Sequence, residues 1–206
     1  NNTKQSRDYS VHTGNTVRKK KLKPKRITKT KTIFIVGGSQ GASIFSNLIP
    51  KILENFSDFS KRKLIVVQQV RKVDEKFTAK LYRKMKVKFI LKEFFDDIYS
   101  QFNQADLIIS RCGASTLAEI ELYKKFSVLF PLPSAMNNHQ YFNAIEFRKK
   151  NPCLLLDERD LNIIKISKEI EKIIFINKKL HKIKTNKQLN HKLSLSNLIR
   201  KVLINN

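Results

Sequence analysis

Short apolar runs alternate with helical patterns across residues 32–156, and this alternation narrows the choice of folds more than any other feature. A continuous apolar run of four or five residues is typical of a strand buried on both faces of a parallel sheet. Six such runs occur, at 32–36, 64–67, 87–90, 107–110, 127–130 and 153–156. Their order predicts an α/β fold, a Rossmann-like parallel sheet with helices on both faces.

A glycine-rich segment, 37–42, follows the first run and reads Gly-Gly-Ser-Gln-Gly-Ala. The helical pattern resumes at Ile44. This sequence of strand, turn and helix favours an anion such as a phosphate, because free backbone N–H groups and the positive end of the helix dipole meet there. The segment matches neither the dinucleotide fingerprint nor a P-loop. A tight turn without a ligand is the alternative interpretation.

A second turn of the same kind, 111–116, reads Arg-Cys-Gly-Ala-Ser-Thr. Gly113 lets a ligand approach the backbone, and the two hydroxyl residues that follow it can cap the helix or donate to a phosphate oxygen. Glu119 lies about one turn further on, where its carboxylate could accept two hydrogen bonds from a ribose diol. The alternative is an ordinary capped turn, with Glu119 as a favourable acid near the helix start. Spacing alone does not decide between them.

A third loop, 131–140, is bounded by proline and too polar for the core. His139, Gln140 and Asn143 lie at or near the start of the next helix. All three loops follow strands, so they are predicted at the sheet edge where open α/β sheets bind ligands. Two anion-binding turns on one edge suit a diphosphate with a nucleoside on one side and a polar group beyond. The alternative for His139 is a solvated loop residue.

Three local predictions concern the chain between these loops. Residues 68–72 are predicted to form a polar turn. The following helix, 74–85, is predicted to turn Phe77 inward together with two other apolar residues at helical spacing. Phe94 and Phe95 are interpreted either as core residues or as a loop whose backbone edge reads a flat base.

The net charge of +25 is concentrated at the two ends of the chain. Residues 1–31 carry +10, residues 161–206 carry +9 and the middle carries +6. Basic ends suit an anionic partner, either a bilayer surface or a nucleic acid. The alternative is a lysine-rich compositional habit. The compositional habit is favoured, because no aromatic residues interleave the lysine runs as a stacking platform would require. Nucleic acid is the less favoured of the two partners.

The two cysteines, Cys112 and Cys153, lack metal-ligand spacing, and we expect neither a metal nor a cofactor. Cys112 lies in the proposed ligand turn and Cys153 opens an apolar run, so we expect reduced thiols and a cytosolic setting rather than a disulfide. No apolar run approaches the length of a transmembrane helix, and no signal peptide is visible. The chain begins with Asn1 rather than Met, which suggests that residues upstream are missing.

Together, 37–42, 111–116 with Glu119, and His139-Gln140 with Asn143 resemble the carboxyl-terminal half of the MurG glycosyltransferases. These bacterial peptidoglycan enzymes have the GT-B fold. They transfer N-acetylglucosamine from UDP-N-acetylglucosamine to undecaprenyl-pyrophosphoryl-N-acetylmuramoyl-pentapeptide. Residues 13–18 resemble the segment by which that family's chain enters this half.

The resemblance implies a role for each matched position. The diphosphate would contact two sets of residues, Gly38, Ser39, Gln40 and Gly41, and Ala114, Ser115 and Thr116. Glu119 would hold the ribose hydroxyls, the Phe95 backbone would pair with uracil, and Arg18 would lie against the nucleotide. The N-acetylglucosamine would be recognised by His139, Gln140 and Asn143.

Three segments depart from the family pattern. Thr16 replaces a proline, residues 68–71 read Gln-Gln-Val-Arg instead of His-Gln-x-Gly, and residues 124–126 read Lys-Lys-Phe instead of Gly-x-Pro. The last change removes two turn-adapted residues. The middle change puts Arg71 where the chain would approach the sugar.

The family's amino-terminal domain is not in this sequence. That domain carries the lipid-acceptor loops, the membrane-facing patch and the expected general base. We therefore expect an inverting N-acetylglucosaminyltransferase as an incomplete chain, peripheral to the inner face of the plasma membrane. It would bind the donor and meet the lipid-linked acceptor through a missing domain or a partner chain. The alternatives are a donor-binding subunit of a two-chain enzyme, a nucleic-acid-binding protein and a degenerate copy.

Three parts of the chain are expected on this basis. Residues 1–31 would be a basic arm that includes the entry segment. Residues 32–160 would be a nucleotide-sugar-binding Rossmann-like domain, and 161–206 would be basic helices.

Overall fold

The computed structural model describes residues 28–175, except for the side chains of 38–42. Within that part, six strands form one sheet: β1 (Lys31–Val36), β2 (Leu64–Gln69), β3 (Lys88–Lys92), β4 (Leu107–Ser110), β5 (Ser127–Leu129) and β6 (Cys153–Leu155). Every pair of neighbouring strands is parallel, and their spatial order is β3-β2-β1-β4-β5-β6. The predicted Rossmann-like parallel sheet is confirmed.

Seven α-helices connect or follow the described strands: α1 (Gly38–Glu54), α2 (Asp58–Arg62), α3 (Lys72–Lys84), α4 (Ile98–Gln104), α5 (Ala114–Tyr123), α6 (His139–Lys150) and α7 (Ile163–Phe175). A short 3-10 helix, Met136–Asn138, precedes α6. Helices α1, α3 and α7 pack together, and α4, α5 and α6 form the other group. Each group covers one face of the sheet, and each face has its own core of fully buried aliphatic and aromatic side chains.

Helix α7 completes the core on the α1 face of the sheet. It buries Ile166, Ile170 and Ile174, and the Ser167 hydroxyl donates to the backbone oxygen of Ile52 at 2.7 Å. The predicted basic arm and entry segment, with Arg18, and the helices beyond residue 175 lie outside the described residues. The expected division at residue 160 stays a prediction.

The structure corrects three local predictions. Helix α1 begins at Gly38, so most of the predicted glycine-rich turn is the first part of a helix. Gln68 belongs to strand β2 and is fully buried, and its Oε1 accepts from the Tyr82 hydroxyl at 2.5 Å. Phe77 is 52% exposed, since α3 buries Thr78, Ala79 and Tyr82 instead.

Candidate functional site

The candidate site lies at the carboxyl ends of β1 and β4, the point at which the strand order reverses. The two strands are neighbours in the sheet, and each leads into a helix, α1 and α5. Gly37 and Gly113 are the N-cap residues, so neither helix has a capping side chain, and neither has an acidic residue in its first turn. Two helix dipoles therefore present their positive ends at one crevice, which favours a ligand with more than one anionic group.

The turn before α5 is open at its glycine. An ideal Cβ built on Gly113 meets nothing within 4 Å, and the backbone angles, φ −66° and ψ 140°, suit any residue. Ala114 and Ser115, which follow it, are exposed. The space beside this turn can therefore accommodate a ligand against the backbone.

Glu119 lies on α5, one turn after Ser115, and is half-buried. The spacing puts its carboxyl group on the same helix face as Ser115 and Thr116. Burial raises the pKa of Glu119 above the ordinary value of a glutamate. Its carboxylate makes no hydrogen bond or ion pair with another described residue. An acceptor that is partly desolvated and without such a partner is suited to ligand hydroxyl groups.

Gln140 and Asn143 hold the peptide group of Cys112. Gln140 Oε1 accepts from the backbone nitrogens of Cys112 at 3.0 Å and Leu132 at 3.1 Å, and Asn143 Nδ2 donates to the Cys112 oxygen at 3.2 Å. The start of α6 thus joins the 111–116 turn to the 131–140 loop. The structure brings these two predicted loops together, and the sugar-binding role of both amides stays a prediction.

His139 is the first residue of α6 and is exposed. Its Nδ1 lies 2.8 Å from the backbone oxygen of Met136. A carbonyl oxygen only accepts, so Nδ1 carries the proton, and Nε2 of the neutral ring is an acceptor. Asn137 and Asn138, just before it, both have left-handed backbone angles, a conformation that asparagine tolerates well.

Arg111 makes contacts between the loops that follow strands β4, β5 and β6. The buried guanidinium Nη1 pairs with Glu158 and lies 3.3 Å from the backbone oxygens of both Phe130 and Pro131. On its other side, the guanidinium carbon lies 5.3 Å from the centre of the Phe45 ring on α1. The sequence motif includes Arg111 without giving it a role. Glu158 was missed, since a single acid 47 residues along the chain gives no local signal.

The neighbouring Cys112 is fully buried. Burial raises the pKa of the Cys112 thiol to about 12, and the thiol is protonated at neutral pH. Within residues 28–175, no group of three His, Cys, Asp or Glu side chains could hold a metal ion.

The loop of Phe95 is held by its own contacts. The Phe95 ring packs edge-on against Phe34 of β1, with ring centres 5.6 Å apart. Gln69 Nε2 donates to the Glu93 oxygen at 3.1 Å, and Asp97 caps α4 by accepting from the Ser100 nitrogen at 3.3 Å. A loop fixed at both ends can present its backbone to a ligand, and the proposed base-reading role of Phe95 stays a prediction.

Two sets of predicted residues are not placed by these contacts. Arg18 lies outside the described residues, and the side chains of Ser39 and Gln40 are not described.

Arg71, at the departure from the family pattern, donates from Nη2 to the Ser43 hydroxyl at 2.9 Å and from Nε to Asp74 at 2.8 Å. Arg71 thus links the start of α3 to α1 beside the crevice.

Comparison with known proteins identifies the family. The model of the glycosyltransferase family 28 C-terminal domain matches residues 32–199. The chain belongs to this family. The predicted resemblance to the carboxyl-terminal half of the MurG glycosyltransferases is confirmed by curated relatives and by a solved structure.

The relatives of this family 28 domain are about twice its length. It is 39% identical over 185 residues to the UDP-N-acetylglucosamine--N-acetylmuramyl-(pentapeptide) pyrophosphoryl-undecaprenol N-acetylglucosamine transferase of Rickettsia canadensis, covering 86% of this chain and 51% of that protein. The protein of the same name from Rickettsia conorii is 38% identical over 189 residues, with coverage of 88% and 49%. The chain therefore spans about half the length of these curated relatives.

Solved structures support the fold of the family 28 domain. MurG of Acinetobacter baumannii superposes with a TM-score of 0.64 at 24% identity, over 80% of this chain and 47% of that one. A glycotransferase of kitacinnamycin gives a TM-score of 0.52 at 13% identity, over 78% of this chain and 39% of that one. The sheet is thus one half of a GT-B fold, as the sequence predicts.

Proposed function

We propose that this chain is the UDP-N-acetylglucosamine-binding half of a glycosyltransferase that adds N-acetylglucosamine to lipid-linked muramoyl-pentapeptide in peptidoglycan synthesis. The single observation that carries the proposal is the pair of uncapped helix starts, at Gly38 and Ala114, on either side of the point where the strand order reverses. That arrangement suits a diphosphate. The names of the relatives supply the nucleoside and the sugar.

The proposed contacts follow the order of the ligand. The first turns of α1 and α5 bind the diphosphate, with hydroxyl donors from Ser39, Ser115 and Thr116 and backbone donors from Gly38 to Gly41 and Ala114. Glu119 accepts from the ribose diol, and the backbone of Phe95 pairs with uracil. Arg18 lies against the nucleotide. The sugar lies near the start of α6, within reach of His139, Gln140 and Asn143.

Transfer with inversion requires a general base next to the acceptor hydroxyl. An acceptor hydroxyl oxygen attacks the anomeric carbon, the bond from that carbon to the diphosphate breaks, and a base takes the hydroxyl proton. The two helix starts stabilise the negative charge that grows on the departing diphosphate. Because His139 is assigned to the donor sugar, no base is assigned among residues 28–175. We therefore propose that the chain binds the donor and transfers its sugar only with an acceptor half or partner chain.

We also propose that the chain works at the inner face of the plasma membrane, where a lipid-linked acceptor would be met. No helix within residues 28–175 is long and apolar enough to cross a bilayer. The high positive charge of the chain supports association with an anionic membrane surface.

Calorimetry with UDP-N-acetylglucosamine and UDP-glucose tests the donor assignment. We expect the N-acetylated donor to bind at least about tenfold more tightly, because the acetamido group adds hydrogen bonds to a polar site. Glu119→Ala should weaken that binding at least about tenfold, since it removes a charged acceptor. Glu121→Ala, two positions along the same helix, is the control and should bind as wild type. Equal loss in both variants would refute the assigned role of Glu119.

A further inference from the structure

The outward face of α3 carries a continuous set of basic side chains. Five exposed cations lie on it, at helical spacing and with no acid among them: Lys72, Lys76, Lys80, Arg83 and Lys84. At 3.6 residues per turn, these positions cover less than half of the helix circumference. The opposite face is the buried one, with Thr78, Ala79 and Tyr82.

Two apolar side chains adjoin these cations: Val73 lies among them, and Phe77 lies at their edge. Val73 is 78% exposed and Phe77 is 52% exposed, and the two are one turn apart. Both stand next to lysines on the helix surface. An exposed aliphatic and an exposed aromatic side chain next to these cations form a surface with both charge and apolar area.

Little in the described structure neutralises these cations. Lys72, Lys76 and Lys80 form no ion pair with another described residue. Lys84 has a single exposed contact, with Glu54 at 3.8 Å, and the acid at Asp74 is engaged by Arg71. The positive charge of the face is therefore available to a partner.

Helix α7 shows that a lysine-rich composition does not by itself produce such a face. It also exposes three lysines, Lys165, Lys168 and Lys172, but Glu169 lies among them. The acids of α3, Asp74 and Glu75, lie outside the arc of its cations, whereas Glu169 lies one turn from both Lys165 and Lys172 on α7. The segregation on α3 is thus a property of that surface.

We propose that the outward face of α3, defined by its five cations with Val73 and Phe77, docks on a bilayer surface that contains anionic lipid. Lysines one turn apart match a plane of lipid phosphates, and a neighbouring apolar pair can enter the boundary between headgroups and acyl chains. A nucleic acid is a poorer match, because one phenylalanine makes no stacking platform. The inference rests on the proposed function, in which the acceptor is held by a lipid. It adds a contact on the donor-binding half to the membrane-facing patch expected on the amino-terminal domain.

The test compares two variants of the full chain with equal loss of charge. The α3 variant is Lys72→Gln/Lys76→Gln/Lys80→Gln, and the control is Lys165→Gln/Lys168→Gln/Lys172→Gln on α7. Co-sedimentation uses vesicles of phosphatidylcholine with or without phosphatidylglycerol. We expect the α3 variant to lose at least about tenfold in partitioning to the mixed vesicles, and the control less than about threefold. Phe77→Ala should lose affinity for the same vesicles at unchanged net charge.

Equal losses in the two triple variants would overturn the assignment, because they would show a diffuse effect of net charge. Tight binding to pure phosphatidylcholine, or an α3 variant that loses RNA binding but keeps vesicle binding, would overturn it as well. Calorimetry with UDP-N-acetylglucosamine on the same variants separates this proposal from the proposed function. If no variant and no wild-type chain binds the donor while the vesicle difference remains, the donor assignment fails and the α3 surface stands.

Discussion

Gly113 has backbone angles that any residue adopts, and the space where a side chain would point is empty. The protein itself thus has no steric need for glycine at this position. A ligand lying against the backbone would supply one, since a methyl group would take the place of ligand atoms. The residue therefore separates the requirements of folding from those of binding.

We predict that Gly113→Ala leaves folding intact and impairs donor binding. The free energy of unfolding should change by less than about 1 kcal/mol, because the fewer unfolded conformations of alanine offset its weaker preference for the N-cap position. Affinity for UDP-N-acetylglucosamine should fall at least about tenfold, which corresponds to about 1.4 kcal/mol. Urea denaturation and calorimetry measure the two effects. Unchanged affinity would mean that no ligand approaches this turn.

Glu119 should make donor binding depend on pH. Its pKa is raised by burial, and only the ionised carboxylate can accept from both ribose hydroxyls. Affinity should therefore increase as the pH rises through a midpoint above the ordinary glutamate value. The ionised form is also the one that burial penalises, so Glu119 lowers folding stability over the same rise in pH. Calorimetry across this range should show the midpoint in wild type and not in Glu119→Gln.

The elements around the site are joined by side chains rather than by the sheet alone. Arg111 hydrogen-bonds to two backbone oxygens just after β5 and pairs with Glu158 beyond β6. Its guanidinium lies over Phe45 of α1. A buried cation with a missing partner is costly. The Arg111–Glu158 pair therefore holds three loop regions in one arrangement.

Glu158→Ala should lower the free energy of unfolding by about 3 kcal/mol, because it leaves Arg111 buried without its carboxylate. Glu158→Gln should cost less, since an amide oxygen still accepts a hydrogen bond. Urea denaturation provides the values. Asp160→Ala, at an exposed acid of the same loop, is the matched control and should be close to wild type. A loss in the control as large as that in Glu158→Ala would remove the special role of the pair.

A lysine with an unfavourable backbone conformation lies two residues after the end of helix α3. Lys86 follows the helix with φ 58°, in the left-handed region that favours glycine, and Lys124 after α5 is similar with φ 51°. Lys86→Gly should therefore raise the free energy of unfolding by about 0.5–1 kcal/mol. The same exchange inside the helix, Lys80→Gly, should lower it by about 1 kcal/mol. Thermal and urea denaturation of both variants would reveal whether the signs are opposite.

Strand positions could be predicted from the sequence, because each strand is a local apolar run. The end of β2 could not, since Gln68 is buried with a hydrogen bond from Tyr82, which lies on the next helix. The inward placement of Phe77 was wrong for a similar reason, because α3 buries Tyr82 instead, whereas Met85 packs against the core as predicted. In the site, the three loops were visible as motifs, whereas the Arg111–Glu158 contact depends on distant parts of the chain.

At the scale of the whole molecule, the sheet is covered on both faces by helices, and α7 belongs to that cover. Ile170 of α7 is fully buried in the core on the α1 face of the sheet. Truncation of its side chain should therefore destabilise the whole Rossmann-like sheet.

Ile170→Ala should lower the free energy of unfolding by about 2–5 kcal/mol, as is usual for a buried isoleucine. Ile49→Ala, at a fully buried position of α1, should cost a similar amount, and both variants should unfold in one transition. Urea denaturation followed by circular dichroism tests this. A nearly unchanged midpoint for Ile170→Ala would indicate that residues after 160 unfold apart from the sheet.

The contacts around the Cys112 peptide also determine the orientation of two amides. The N–H groups of Cys112 and Leu132 require the oxygen of Gln140, and the carbonyl of Cys112 requires the nitrogen of Asn143. Neither amide can flip without losing these bonds. A ligand can then bind only the NH₂ group of Gln140, which donates, and the side-chain oxygen of Asn143, which accepts. The backbone thus fixes which hydrogen-bonding groups these two side chains present before a ligand binds.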